Sequence, residues 1–249
     1  FDDRDILLCD YEPARHRKFL VDYFTGKFSD SHARGLPFGQ NAKTGDTRIS
    51  GSLASLVGLE HALETGENQA IADSIKLILL LHGMILSFGG IPLLYYGDEI
   101  GTLNDDSYRD DPYKKGDTRW VHRPSIGWDK AERRNTPGTV EYEIFSALKR
   151  MLAVRKEIDV FADFNNRELI EVDNPHLFVF GRYHLQKPNE QVLVVANFSN
   201  KPQHLNLDEL GNWGSQYRPL VDLYRGERPD IFKNSLVIPG FGFYWLCEK

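Results

Sequence analysis

FGGIPLLYYGDEIGTLNDDSYRDDPYKKGDTRW, residues 88–120, contains the switch from helix to apolar run to charged loop on which the architecture of this chain depends. A long apolar helix stops at the pair Gly89-Gly90, and residues 91–96 then run without polar alternation, with Pro92 near their start. An unbroken apolar run is the pattern of a strand covered on both faces, as in a parallel sheet flanked by helices. The run ends at Gly97, Asp98 and Glu99 follow at once, and a polar loop continues from Thr102 to Gly116. Chemistry in parallel α/β folds lies at the carboxyl ends of the strands. Asp98 onward is therefore expected to form the lip of a site, with Arg119 and Trp120 ending its loop.

Upstream, residues 52–63 and 67–88 read as helices, and a helix feeding the 91–96 strand is the last α/β unit of a parallel sheet. Residues 27–50 have the pattern of a loop, with Gly35, Pro37, Gly39, Asn41 and Gly45. A connection that long inside a compact domain is more often functional than neutral. Residues 11–24 have helical periodicity, with Phe19, Leu20, Tyr23 and Phe24 on one side, Asp10 as N-cap, Pro13 in the first turn and Gly26 as a stop.

Downstream, residues 139–158 form an amphipathic helix striped by Val140, Ile144, Leu148, Met151 and Leu152. Glu141 and Glu143 sit in its first turns and Arg155 and Lys156 in its last, as the helix dipole prefers. Short β-rich runs follow at 168–172, 176–184, 192–198, 204–207, 219–223 and 235–246, separated by turn clusters such as Gln186-Lys187-Pro188-Asn189. An antiparallel sandwich is expected from near residue 160.

The 249 residues carry a net charge of −6 and no basic stripe, which argues against a nucleic-acid partner. Residues 75–88 are too short to span a bilayer and read as a buried helix, so no membrane partner is expected. Cys9 and Cys247, at opposite ends, give neither a disulfide framework nor a metal-type spacing. The first residue is Phe in a segment that already looks structured, which implies a piece of a longer polypeptide.

GIPLLYYGDEIG (90–101) resembles the eighth-strand segment of the α-amylase superfamily, glycoside hydrolase family 13. GTLNDD (101–106), DTRWVHRP (117–124) and TGDTRISG (44–51) are similar to the amylosucrase and sucrose-hydrolase branch. The resemblance runs along nearly the whole chain, is looser in the β-rich part, and leaves an extended loop around residues 106–115. It implies an α/β plus all-β fold: residues 1–158 as the C-terminal part of a (β/α)8 barrel, including the 27–50 loop, and 159–249 as a β-sandwich domain C. It further implies a retaining enzyme that cleaves sucrose through a covalent glucosyl intermediate and transfers glucose to an α-glucan or to water. The implied partners are sucrose or an α-glucan and the N-terminal barrel segment of the same protein, with no cofactor.

Retaining glycosidases need two carboxyl groups about 5 Å apart. The superfamily takes these from strands four and five, and a third Asp from a His-Asp segment after strand seven. Phe1-Asp2-Asp3 superficially looks like the tail of that segment. Registering His16-Arg17 on the following helix instead places Phe1 just downstream of the catalytic Asp, so that all three carboxylates lie outside this chain. Asp98 and Glu99 are adjacent on an extended run and would point opposite ways, so they read as caps for loop amides and not as an acid/base pair.

Arg48, Arg119, Asp46 and Trp120 are candidates for substrate contact. Arg119 could form an ordinary loop salt bridge or a bidentate contact to a carboxylate or vicinal hydroxyls, and the resemblance implies the pocket-closing role. Asp46 and Arg48 could be plain surface-loop charges; the resemblance implies that Arg48 faces the acceptor side. Trp120 and Trp128 are open to sugar stacking, whereas Tyr95 and Tyr96 read as core. Asp105, Asp106, Asp110 and Asp111 lack EF-hand spacing and read as a solvated rim. The histidines show no metal-ligand pair, and His82 reads as a satisfied core group. The other functional class open to the chain is a non-catalytic carbohydrate-binding or interaction module built on the sandwich alone.

Overall fold

The computed structural model describes residues 12–213 and 219–248, so Phe1-Asp2-Asp3, Cys9 and the expected Asp10 cap lie outside the described residues. The chain divides into two compact units, one containing residues up to 74 and 96–133, the other 75–95 and 134–249.

In the first unit, α1 (Pro13–Phe24) starts with Pro13 at its first position, where the missing N–H costs nothing. Its aromatic face gathers Phe19 and Phe28 edge to face at 5.2 Å. The 27–50 segment is not structureless, because it contains an antiparallel ribbon of β1 (Leu36–Phe38) and β2 (Arg48–Ser50). The expected 52–63 helix is two pieces, α2 (Leu53–Leu56) and α3 (Leu59–Thr65), broken at Gly58, whose φ of +92° no side-chain-bearing residue adopts readily. Asn104 ties this unit together: its Oδ1 accepts from Ser52 N at 2.8 Å and its Nδ2 donates to Arg34 O at 2.6 Å.

Helix α4 (Asn68–Phe88) ends at the expected place, with Gly89 and Gly90 at φ +125° and +80°. At 21 residues it is long and apolar enough to cross a membrane, which corrects the shorter span expected from residues 75–88. Ile78, Leu80, Leu86 and His82 are fully buried, whereas Ile85 is exposed.

Residues 91–96 form no strand, which corrects the central expectation of the sequence. Ile91 and Leu93 are 84% and 82% exposed, and Tyr95 and Tyr96 are exposed as well instead of core. A strand needs neighbours to take up its backbone N–H and C=O groups, and no described strand runs alongside.

The second unit holds α6 (Val140–Lys156), capped by Thr139, whose hydroxyl accepts from Tyr142 N at 3.2 Å; α5 (Trp128–Glu132) belongs to the first. The expected antiparallel sandwich follows. One sheet has the order β3 (Arg167–Ile170), β4 (Leu177–His184), β5 (Lys187–Asn197), β10 (Phe243–Glu248), β7 (Leu220–Asp222). The other runs β6 (Gln203–Asn206), β9 (Ser235–Ile238), β8 (Ile231–Phe232). Alternate residues Val179, Leu193, Val195 and Leu246 join Leu205, Leu236 and Ile238 in one core. The opposite face of the large sheet packs on helix: Phe180 meets Phe88 at 5.4 Å, and a β-carbon at Gly83 would lie 2.9 Å from the Phe243 ring.

Three local expectations change. The 235–246 run is two strands, β9 and β10, joined by a turn in which Gly242 N donates to Pro239 O at 2.9 Å. The β4–β5 turn falls on Leu185-Gln186, after a bulge at Tyr183/His184, and not on 186–189. The two-residue strand β8 was too short to show any alternation.

Helix α4 has no basic residue in its last turn. Its final carbonyls are taken by arginines from elsewhere in the same unit. Arg155 donates to Leu86 O, Arg182 to Ser87 O, and Arg167 Nη1 to Phe88 O at 3.4 Å. Arg182 is fully buried and also donates to Asn166 Oδ1 (2.8 Å), Val160 O (3.1 Å) and Asp163 O (2.6 Å). Burial, with Arg155 and Arg167 nearby, brings its pKa down to about 10, so it stays charged at neutral pH.

Candidate functional site

The β1–β2 ribbon sets Phe38 directly opposite Arg48, and opposed residues of an antiparallel pair share a face. Arg119 arrives from the short 3₁₀ turn Thr118–His122. Asp117 caps that turn by accepting from Arg119 N at 3.0 Å, and it also binds the Arg119 guanidinium, at 2.9 Å to Nε and 2.7 Å to Nη2. These bonds hold the Asp117 carboxyl down at about 2 and raise Arg119 above its ordinary range. The Arg119 guanidinium carbon lies 4.7 Å from the centre of the Phe38 ring, and Thr118 Oγ1 donates to Pro37 O at 3.0 Å. Arg119 thus lies over the ring of Phe38, the cross-strand partner of Arg48, which is 71 positions away in sequence.

Asp46 stands just before β2. Its Oδ1 accepts from Arg17 Nε of α1 at 3.2 Å and its Oδ2 from Thr44 Oγ1 at 2.9 Å. A cleft of about 880 Å³ separates α1 from the ribbon, lined among others by Arg15, Arg17, Lys18, Asp46, Arg48 and Ile49. Arg17 is the residue that the sequence did not single out as a contact. Twenty-nine positions separate it from Asp46, and only the ribbon brings them together.

Trp120 is half-buried, with Lys114 Nζ 5.0 Å and Arg123 5.7 Å from its ring centre. Two protein cations therefore use the π system that a sugar face would need. Trp128 is exposed at the start of α5. Glu99 Oε2 accepts from Gly97 N at 2.7 Å, the loop-capping role expected of it. Burial, and then the neighbouring Glu99 charge, push the Asp98 carboxyl up to about 6. Asp105 and Asp111 cap turns through Ser107 N and Tyr113 N, both at 2.9 Å, and Asp106 pairs with Arg109 at 2.9 Å.

His82 Nδ1 lies 2.8 Å from Ile78 O, and burial lowers its pKa, so it is a neutral core group as expected. Among the described residues, metal-type donors converge at Asp159, His184 and Glu190, whose ligand atoms lie within 4.8 Å of one another. The Lys187 ammonium, 3.1 Å from both carboxylates, already occupies that cluster and offsets one of its two negative charges.

Residues 167–245 match the family model described as Maltogenic Amylase, C-terminal domain. Over 90% of its length the chain is 29% identical to the trehalose synthase/amylase TreS of Mycolicibacterium smegmatis, of which it covers 40%. It is 28% identical to a cyclomaltodextrinase of Geobacillus thermopakistaniensis over 68% of the chain and 24% of that protein. The chain spans about two fifths of the length of the trehalose synthases it matches. Its fold is similar to that of a pullulanase from an Anoxybacillus species, with a TM-score of 0.52 and 16% identity over 78% of this chain and 26% of that one. The likeness falls on trehalose synthases and cyclomaltodextrinase and not specifically on the amylosucrase branch. The β-sandwich over residues 167–245 is thus similar to the C-terminal domain of maltogenic amylases.

Proposed function

We propose that this chain is the C-terminal part of a retaining enzyme acting on α-glucosidic bonds, with residues 1–158 completing its catalytic domain and 159–249 forming domain C. The observation that carries this reading is that the similarity to trehalose synthase/amylase TreS extends over 90% of the chain, far beyond the sandwich. A lone sandwich module has no use for the Arg48–Phe38–Arg119 arrangement. In this reading the whole enzyme cleaves its donor through a covalent glucosyl intermediate and passes glucose to an α-glucan or to water. This chain supplies the rim. Arg48 offers a guanidinium fork to vicinal hydroxyls, Arg119 presents the N–H groups that its ion pair with Asp117 leaves over, Asp46 fixes the ribbon against α1 through Arg17, and Trp120 shapes the loop behind Arg119.

Sucrose as donor, the amylosucrase-like form of this reading, rests on the GTLNDD and DTRWVHRP segments. The names of the relatives favour trehalose or α-glucans instead. Turnover of sucrose, trehalose and maltose by the full-length protein decides between them. Arg48→Ala is expected to raise the acceptor KM about tenfold or more while leaving donor hydrolysis in place, as loss of one charged hydrogen-bond partner does. An unchanged acceptor KM removes Arg48 from the site. Absence of turnover on all three sugars overturns the enzyme reading.

A further inference from the structure

We propose that a second cleft of the first unit binds a small neutral polyhydroxylated ligand, a mono- or disaccharide. The cleft measures about 410 Å³, within the range of about 300–1,000 Å³ usual for small-molecule sites, and its wall includes Ser31, His32, Arg34, Glu60, His61 and Asn104. Neither Asp46, Arg48, Arg119 nor Trp120 lines it, so it is not the rim described above.

Most of its polar groups are already committed. Arg34 pairs with Glu64, Asp106 with Arg109, and Ser31 Oγ donates to Tyr23 O. Asn104 spans Ser52 and Arg34. Three groups remain. His32 and His61 stack face to face, ring centres 4.3 Å apart and planes within 3°, and among the described residues neither ring makes a hydrogen bond. Beside His61 on α3, Glu60 Oε2 is buried with no hydrogen-bond partner.

A buried carboxylate oxygen without a donor is costly, and a ligand that brings one removes that cost. An anion is repelled by Glu60. A metal ion needs donors that converge, and these three do not form such a group, whereas Asp159, His184 and Glu190 do. A hydroxyl donates to the carboxylate and can either donate to or accept from an imidazole, so a vicinal diol satisfies Glu60 and the histidine pair together. The inference rests on the chemistry of the cleft and not on the enzyme reading.

The test is NMR of the imidazole carbons in the full chain during titration with maltose. His32 and His61 are expected to shift together along one saturable curve. Glu60→Gln is expected to raise the dissociation constant about tenfold or more, and Arg48→Ala to leave the curve where it was. Should Glu60→Gln fail to fold, His32→Ala, on the exposed side of the stack, is expected to weaken the shift of His61 in the same way. Rings that do not move, an unchanged constant in these variants, or a response to ethylammonium without one to maltose each overturn the proposal.

Discussion

Residues 91–96, IPLLYY, and 192–197, VLVVAN, are two apolar runs of similar composition in opposite states. The second is buried throughout as the C-terminal half of β5, with β4 and β10 hydrogen-bonded to its two edges, a sheet over one face and a helix over the other. The first has no strand beside it among the described residues and exposes Ile91 and Leu93. The pattern that signals a strand buried on both faces is present in both. Apolarity states what a segment gains on burial, at about 25 cal/mol per Å² removed from water. Whether partner strands stand on either side is a separate condition, and only the second run meets it.

The sharpest way to break the comparison is to charge both runs. Val194→Asp puts a carboxylate where no water reaches and is expected to cost about 4 kcal/mol or more, seen as loss of the sandwich's cooperative thermal transition. Leu93→Asp is expected to change stability by no more than about 0.5 kcal/mol, as exposed sites do. A comparable loss at Leu93 would mean that this run is buried in the folded protein, and the contrast would collapse. Arg182→Met should come next. It orphans the carbonyls of Ser87 and Asp163 and the side-chain oxygen of Asn166 at once, for an expected loss of about 3 kcal/mol in a denaturant titration. Thr139→Ala removes one helix cap and should cost about 1 kcal/mol.

The smallest effects are pH slopes of opposite sign. Burial lowers the folded pKa of His82, so below about 6.5 the unfolded chain takes up a proton that the folded one refuses, and stability falls as pH drops. Asp98 behaves in reverse. Its folded pKa, raised from 3.8 to about 6, makes stability fall as pH climbs through that window. Melting temperatures of Asp98→Asn followed from pH 4 to pH 6 should lose that decline, and a decline that persists assigns it to another group.

What the sequence made legible was local. The stop of α4 at its Gly pair, the Thr139-capped helix and most sandwich strands follow from periodicities within a few residues. The β1–β2 ribbon stayed hidden because each strand is three residues long, and the first holds Pro37 at its centre between Gly35 and Gly39. The 91–96 run was misread because the presence of partner strands is not encoded in the run itself. Site residues divide the same way. Arg48 and Arg119 were visible through their motifs, but their meeting at Phe38, and Arg17 at Asp46, depend on how distant segments pack.

The three arginines at the end of α4 bear on how the chain tolerates alteration. Because the last carbonyls of the helix are held by Arg155, Arg167 and Arg182, the segment after Phe88 is not what joins helix to sheet. It is a strip of chain that leaves a fixed anchor. A cut or an insertion at Gly90 would leave helix and sandwich fastened together, and the region around residue 90 is where this molecule can be spliced.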